Sequence, residues 1–330
     1  MSGQGLVAIL NAAMGWAVVL SKDVEVLVTN RLPDGCEEAL DSACTPHRLY
    51  RASDRDGMLD RVGPRIRAVA GGNVDGALMA RLPALEIIAG FGVGYDSIDI
   101  ELAKARGIRV SNTPDVLNDA VAELTMGLMI ALARRIPEAD RFVRGGRWPG
   151  GGFGLTAELT AATVGIVGLG RIGREVARRC DAMKMRVVYH GRRQQADVPY
   201  RYYANLVEMA GDCDWLVALV PGGEGTQGLI SREVLEALGS RGRFVNLGRG
   251  SIVDEPALVH LLATGGLGGA ALDVFENEPD IRHEFLAFDN VILSPHQGSA
   301  TVTTREAMGA LMLDNLKAHF AGQPLLTAVV

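Results

Sequence analysis

Gly168-Leu169-Gly170-Arg171-Ile172-Gly173 stands directly after the run Val164-Gly165-Ile166-Val167 and directly before a helical pattern, Arg174 to Met183. The spacing has a physical reason. The first glycine makes a tight turn, the second lets the backbone approach a pyrophosphate, and the third lets the helix pack on the strand. The helix N-terminus then presents orphan N–H groups and a dipole that favour negative charge. Three glycines alone are a weak sign, but strand, turn and helix in this order make Gly168, Gly170, Arg171, Ile172 and Gly173 a candidate dinucleotide cradle. The next strand pattern, Arg186 to Tyr189, ends at Tyr189-His190-Gly191-Arg192-Arg193. An acid there would bond the ribose 2′-hydroxyl of NAD, whereas arginine accepts a 2′-phosphate. No acid is present. Arg192 and Arg193 therefore favour NADPH by charge and fork geometry, with NADH left open and a plain solvated basic turn as the structural alternative.

Outward from the loop, short apolar runs alternate with helical segments. Val164 to Val167, Arg186 to Tyr189, Trp215 to Val220, Phe244 to Leu247, Gly269 to Asp273 and Val291 to Ser294 read as six strands, a complete dinucleotide-binding sheet. Upstream, Val24 to Thr29, Ile66 to Ala70, Leu85 to Ala89 and Ile108 to Ser111 read as strands, with helices over Gly76 to Arg81 and Ile98 to Arg106. A long helix is expected over Asp115 to Arg135, after Pro114, followed by a glycine-rich loop, Gly145 to Gly154, that holds Trp148. The last helix, Thr301 to Phe320, comes after the second sheet is complete and can return to the first. The fold expected is α/β, two Rossmann-like doubly wound parallel-sheet domains with a cleft between them. Residues 1–112 and 299–330 form a discontinuous substrate domain, and 113–298 the NAD(P)-binding domain.

Composition agrees and excludes alternatives. At 330 residues the chain exceeds the size at which one hydrophobic core stops growing, so two domains are expected. A net charge of −6 offers no basic surface for nucleic acid. Cys36, Cys44, Cys180 and Cys213 show no metal-ligand or redox spacing, so they read as reduced structural residues and no metal is expected. Leu6 to Leu20 is mostly apolar, but no basic residue precedes it and it carries Asn11 and Gly15. It reads as an extension ahead of a fold that begins near Val24, not as an export signal, and it is too short to span a bilayer. A cytoplasmic protein without a membrane partner is expected.

Further motifs lie along the chain: Gly92-Val93-Gly94-Tyr95-Asp96, Asn112-Thr113-Pro114-Asp115-Val116, Asn246-Leu247-Gly248-Arg249-Gly250, Leu272-Asp273-Val274-Phe275-Glu276-Asn277-Glu278-Pro279 and Pro295-His296-Gln297-Gly298-Ser299. With the glycine loop, they make the chain resemble the D-isomer-specific 2-hydroxyacid dehydrogenases from Val24 to Val330. The Tyr-x-Gly-Arg turn and Pro221-Gly222-Gly223 look most like the glyoxylate/hydroxypyruvate reductases and their hydroxyphenylpyruvate-reducing relatives. The resemblance implies that His296 is the acid/base, Glu278 its carboxylate partner and Arg249 the substrate-orienting cation. It implies that Val93 and Gly94 hold the substrate carboxylate through backbone N–H groups, that Asp273 contacts the nicotinamide amide, and that Pro221 lies on the nicotinamide side. It also implies a homodimer, with Trp148 reaching a partner's pocket.

The chemistry suits these roles. Reducing a ketone needs a proton for the developing alkoxide, which histidine donates near neutrality. A carboxylate favours the imidazolium, and arginine offers a fork to the substrate carboxylate. Taken singly, Arg249 reads as a loop ion pair, Glu278 as an acidic turn and His296 as a surface histidine; jointly, at strand ends, they read as a catalytic set. The expected reaction is reduction of a small 2-keto acid, glyoxylate or hydroxypyruvate, to the D-2-hydroxy acid. The alternatives are an aromatic 2-keto acid as substrate, such as phenylpyruvate or hydroxyphenylpyruvate, and a dinucleotide-sensing protein without activity. Gln297 beside the histidine and the glycine-rich Pro221 turn depart from the family pattern and bear on substrate choice.

Overall fold

The computed structural model describes residues 20–330, which divide into two compact units. One comprises the described residues up to Leu117 together with Thr301–Val330, the other Asn118–Ala300. The apolar segment read as an N-terminal extension lies outside the described residues, except for Leu20.

In the first unit β1 (Glu25–Val28), β2 (Thr45–Arg48), β3 (Ile66–Ala70), β4 (Ile87–Ala89) and β5 (Arg109–Ser111) form a parallel sheet in the order β2-β1-β3-β4-β5. Alternating side chains supply both faces, because successive residues of a strand point to opposite sides. Val26, Val28, Ala68, Ala70, Ile87 and Ala89 pack with Leu40 of α1 (Asp34–Ala43) and with Met312 and Leu316 of the last helix, Val302–Phe320. Leu27, Val69, Ile88 and Val110 pack on the other face with Leu59 of α2 (Arg55–Val62), Met79 of α3 (Gly76–Ala80) and Ala103 of α4 (Ile100–Ala105). The last helix begins where Thr301 caps it, accepting from the Thr304 N–H. Strand β2 was not expected from its sequence. Thr45-Pro46-His47-Arg48 is polar and contains proline, which a sheet tolerates only at an edge, and there it lies.

In the second unit α5 (Asn118–Arg134) and α6 (Ile136–Arg144) precede the sheet. The strands are β6 (Thr163–Val167), β7 (Arg186–His190), β8 (Arg201–Tyr203), β9 (Trp215–Ala218), β10 (Arg243–Asn246), β11 (Gly269–Leu272) and β12 (Val291–Leu293). Their order is β12-β11-β10-β9-β6-β7-β8, all parallel, with helices α7 (Arg171–Ala182), α8 (Leu206–Gly211), α9 (Arg232–Leu238) and α10 (Glu255–Thr264) between them. The order reverses at β6, so the chain leaves β6 and β9 in opposite directions and opens the crevice in which ligands of such sheets bind. Seven strands replace the six expected. The added one, β8, is three residues long and sits at the edge, where Arg201 and Tyr202 need no apolar neighbours. Helix α5 starts at Asn118, later than the expected Asp115, because Asp115 is in the left-handed region at φ 69°. Among the described residues no helix is long and apolar enough to cross a membrane.

Candidate active site

The glycine loop joins β6 to α7 at the reversal point of the second sheet. Its three glycines answer to different demands. Gly168 has φ 96°, and a Cβ there would meet Val220 Cγ1 at 2.7 Å. A Cβ on Gly173 would lie 2.2 Å from the Gly168 carbonyl oxygen. Both are fixed by the fold. Gly170 is different: a Cβ there would meet nothing within 4 Å, so no protein contact accounts for it. It leaves the backbone open as the N-cap of α7, where no side chain caps the helix and Arg171 and Ile172 begin the first turn. That is a cradle suited to a diphosphate, which needs close backbone approach and orphan N–H donors.

After β7 the turn Gly191-Arg192-Arg193 brings two exposed guanidinium groups to the next strand end. Beyond it Gln195 donates its N–H to the Tyr189 hydroxyl at 2.7 Å and its Nε2 to the Leu169 carbonyl at 2.8 Å. On the other side of the reversal point, the Pro221 carbonyl accepts from the Thr226 hydroxyl at 2.7 Å.

Three adjoining strands, β10, β11 and β12, deliver Arg249, Glu278 and His296 from their C-terminal ends. His296 Nδ1 lies 2.6 Å from Glu278 Oε2. The other oxygen of Glu278 accepts the Phe275 N–H at 2.9 Å. Burial raises the Glu278 carboxyl, but the bonds from His296 and Phe275 and the charge of Arg249 outweigh it and hold Glu278 below the ordinary glutamate range. Arg249 is set by its own turn: it donates to the Gly248 carbonyl at 2.8 Å, and its carbonyl accepts from Asn246 Nδ2 at 2.9 Å.

His296 itself is in the left-handed region at φ 52°. Such strain persists only where neighbours over-determine it. Asp273, 1% exposed, does so: its carboxylate accepts from the Ser294 hydroxyl, from the Gln297 N–H at 2.7 Å and from the Gly298 N–H at 2.8 Å. Its carbonyl accepts the His296 N–H at 2.9 Å. Asp273 therefore shapes the turn that presents the histidine.

Val93 and Gly94 belong to the first unit, after β4. Their loop is held from the segment just after β5, where Thr113 N–H donates to the Gly92 carbonyl at 2.8 Å and Asn112 Nδ2 to the Val93 carbonyl at 2.9 Å.

A strand-end imidazole and carboxylate beside a dinucleotide cradle narrow the family, and comparison with known proteins decides it. Residues 126–298 match the model of the D-isomer specific 2-hydroxyacid dehydrogenase, NAD binding domain. The chain belongs to the D-isomer specific 2-hydroxyacid dehydrogenases. It is thus an oxidoreductase that carries the family's NAD-binding domain in its second unit. Among similar proteins, the glyoxylate/hydroxypyruvate reductase A of Arabidopsis thaliana is 44% identical over 94% of this chain and 100% of its own length. The hydroxyphenylpyruvate reductase of Plectranthus scutellarioides is 45% identical, over 89% of this chain and 95% of its own. The crystal structure of the NADPH-dependent glyoxylate/hydroxypyruvate reductase from Sinorhizobium meliloti, in complex with NADP and malonate, superposes with a TM-score of 0.86 at 40% identity, covering 93% of this chain and 97% of that one.

Within this dehydrogenase, two residues near the site escaped sequence reasoning. Glu255, at the start of α10 and 3% exposed, accepts the Glu276 N–H at 2.7 Å and pairs with Arg282 at 3.3 Å. Burial pushes its carboxyl up, against the bond from Glu276. It pins the loop that carries Glu278 to the segment that follows Arg249. Gln195 is the other. An acid at a helix start reads as an ordinary first-turn charge, and a glutamine in a polar turn gives no signal at all.

Proposed function

We propose that the protein reduces glyoxylate or hydroxypyruvate to the D-2-hydroxy acid with NADPH. The observation that carries the reading is the His296–Glu278 pair at 2.6 Å beside Arg249, at the ends of adjoining strands. NADPH, when bound, supplies the hydride. Gly168, Gly170, Arg171, Ile172 and Gly173 hold its pyrophosphate, Arg192 and Arg193 its 2′-phosphate, and Pro221 borders the nicotinamide. Asp273 accepts from the nicotinamide amide through the lone-pair capacity that its three bonds leave. Val93 and Gly94 bind the substrate carboxylate through backbone N–H groups, and Arg249 orients it and steadies charge on the keto oxygen. His296 gives its proton to the alkoxide, with Glu278 holding the ring through Nδ1.

A kinetic panel of NADPH and NADH against glyoxylate, hydroxypyruvate, pyruvate and phenylpyruvate tests the reading. Failure to oxidise NADPH with any of them would overturn it. An aromatic 2-keto acid is the second reading, favoured by the 45% identity to a hydroxyphenylpyruvate reductase; it predicts phenylpyruvate as the best substrate of the panel.

The same panel is expected to give NADPH an advantage of at least roughly tenfold in kcat/KM, because two cations replace the carboxylate that would repel a 2′-phosphate. Arg192→Ala should shrink that advantage. Equal or better turnover with NADH in the wild type would exclude it.

The reading includes a homodimer. Ile136, Val143, Trp148, Leu155 and Leu286 are large apolar residues left exposed in the second unit, Trp148 at 65% and Leu155 at 100%. Leu155 and Leu286 line one groove with Pro137 and Arg141 of α6, a helix without a buried residue. Patches of this kind mark interfaces, and two-fold symmetry is the default for a homodimer. Light scattering at micromolar concentration should give twice the chain mass; a monomer would refute the assignment. The cytoplasm is the proposed compartment, supported by four cysteines that are all buried and free.

A further inference from the structure

We infer that Gln195 and Arg174 form a clamp that sets the preference for a 2′-phosphorylated dinucleotide, by fixing the Arg192–Arg193 turn relative to the glycine loop. The inference rests on the NADPH reading and deepens it. Arg192 and Arg193 are exposed and make no hydrogen bond or ion pair of their own among the described residues. Whatever holds their backbone in place must act from the adjoining chain.

Gln195 does this with every polar group it can aim. Its N–H reaches the hydroxyl of Tyr189, a ring that is 1% exposed and fixed in β7. Its Nε2 reaches the carbonyl of Leu169, the second residue of the glycine loop, and its Oε1 accepts from Arg174 in the first turns of α7. Arg174 in turn grips Asp197 with both terminal nitrogens, at 2.8 and 2.9 Å. A planar guanidinium binding a carboxylate through two parallel bonds fixes orientation as well as distance. The turn is therefore stitched downstream of the two arginines to β7 and to the loop and helix that form the pyrophosphate cradle.

A dinucleotide with a 2′-phosphate engages two anion subsites, the cradle and the paired arginines, and gains from both only if their separation is fixed. One without that phosphate uses the cradle alone. Loosening the clamp makes the arginine subsite pay an ordering entropy on binding, which weakens the phosphorylated cofactor selectively. Gln195 and Arg174 are positioning residues, because each acts through Arg192 and Arg193.

The test is the dissociation constants of NADPH and NADH, by isothermal calorimetry without substrate, for wild type, Gln195→Ala and Arg174→Lys. Gln195→Ala is expected to raise the NADPH constant roughly fivefold to tenfold and the NADH constant less than twofold, the scale of losing one or two ordered side chains. Arg174→Lys keeps the charge, loses the fork and should narrow the ratio in the same direction. Thermal melts of the unliganded variants check folding, and Gln195→Asn, a smaller change, replaces any alanine variant that melts early. Equal weakening of both cofactors would make the clamp a plain structural contact and overturn the inference. So would an unchanged ratio in variants of a discriminating wild type. A wild type that binds both cofactors equally would overturn the NADPH reading and the clamp with it.

Discussion

His296→Ala should lower turnover by roughly 10²- to 10⁴-fold, the scale of losing a positioned proton donor, while NADPH binding survives. The imidazole is half exposed and reaches Glu278 through Nδ1, which leaves Nε2 for substrate. Its removal takes away the donor without opening a core. Because His296 sits at φ 52°, His296→Asn is the better-matched control, as asparagine tolerates the left-handed region more readily than alanine. Both variants should lose turnover alike. Glu278→Gln completes the set through its pH dependence. Burial pushes the Glu278 carboxyl up, but the bonds from His296 and Phe275 and the charge of Arg249 hold it below the ordinary glutamate range, so it stays ionised as the partner of His296 Nδ1. The wild type should lose turnover as the pH falls below that range and Glu278 takes up a proton, whereas Glu278→Gln, which has no such group, should be slower at neutral pH and lack that acid-side loss. A folded His296→Ala variant with near-wild-type turnover would refute the mechanism, and wild-type turnover with an unchanged acid-side profile in Glu278→Gln would remove the carboxylate from it.

Gly250→Ala is the second large effect. An added Cβ would lie 1.8 Å from the Phe275 carbonyl carbon, 2.0 Å from its oxygen and 2.1 Å from the Glu276 nitrogen, all backbone atoms. No side chain can swing aside to relieve this. The loop resists retreat, because Phe275 is buried against Phe285 and the Glu276 N–H is held by Glu255. Overpacking of this kind costs about 1–3 kcal/mol and sometimes more, which a thermal melt will register. The displaced Phe275 N–H also carries Glu278, and a shift of about 1 Å at a catalytic group can cost on the order of 10²-fold in rate. Turnover should therefore fall further than NADPH affinity. Wild-type melting temperature and kcat in Gly250→Ala would show that the two segments do not depend on each other.

Sequence periodicity revealed the elements whose burial is two-sided, and with them two apolar edge strands, Arg109–Ser111 and Val291–Leu293. Ile66–Ala70 was delimited from its apolar run alone, and each of the six expected strands of the second unit is present within one or two residues at its ends. A central parallel strand is covered on both faces, so its residues must be apolar and the run is visible. Thr45–Arg48 and Arg201–Tyr203 stayed hidden for the converse reason. Each lies at an edge with one strand neighbour, where polar residues and even Pro46 are tolerated. Asp115 misled because no pattern marks a single left-handed residue between a proline and a helix.

At the site, the sequence by itself determined the glycine loop, the missing acid after β7 and the residue types at the strand ends. Each of these is a local demand: a turn that needs glycine, a phosphate that needs a cation, an alkoxide that needs a proton. Tertiary structure alone decided which groups meet. Glu278 and His296 stand far apart in the chain yet 2.6 Å apart in space, because β11 and β12 are neighbours in the sheet. Asp273 bends the histidine turn, Glu255 pins the Glu278 loop, and Gln195 ties the arginine turn to Leu169, each through bonds to distant backbone groups. A side chain's bond to a remote peptide group depends on the path of both backbones, and residue type carries no record of that path.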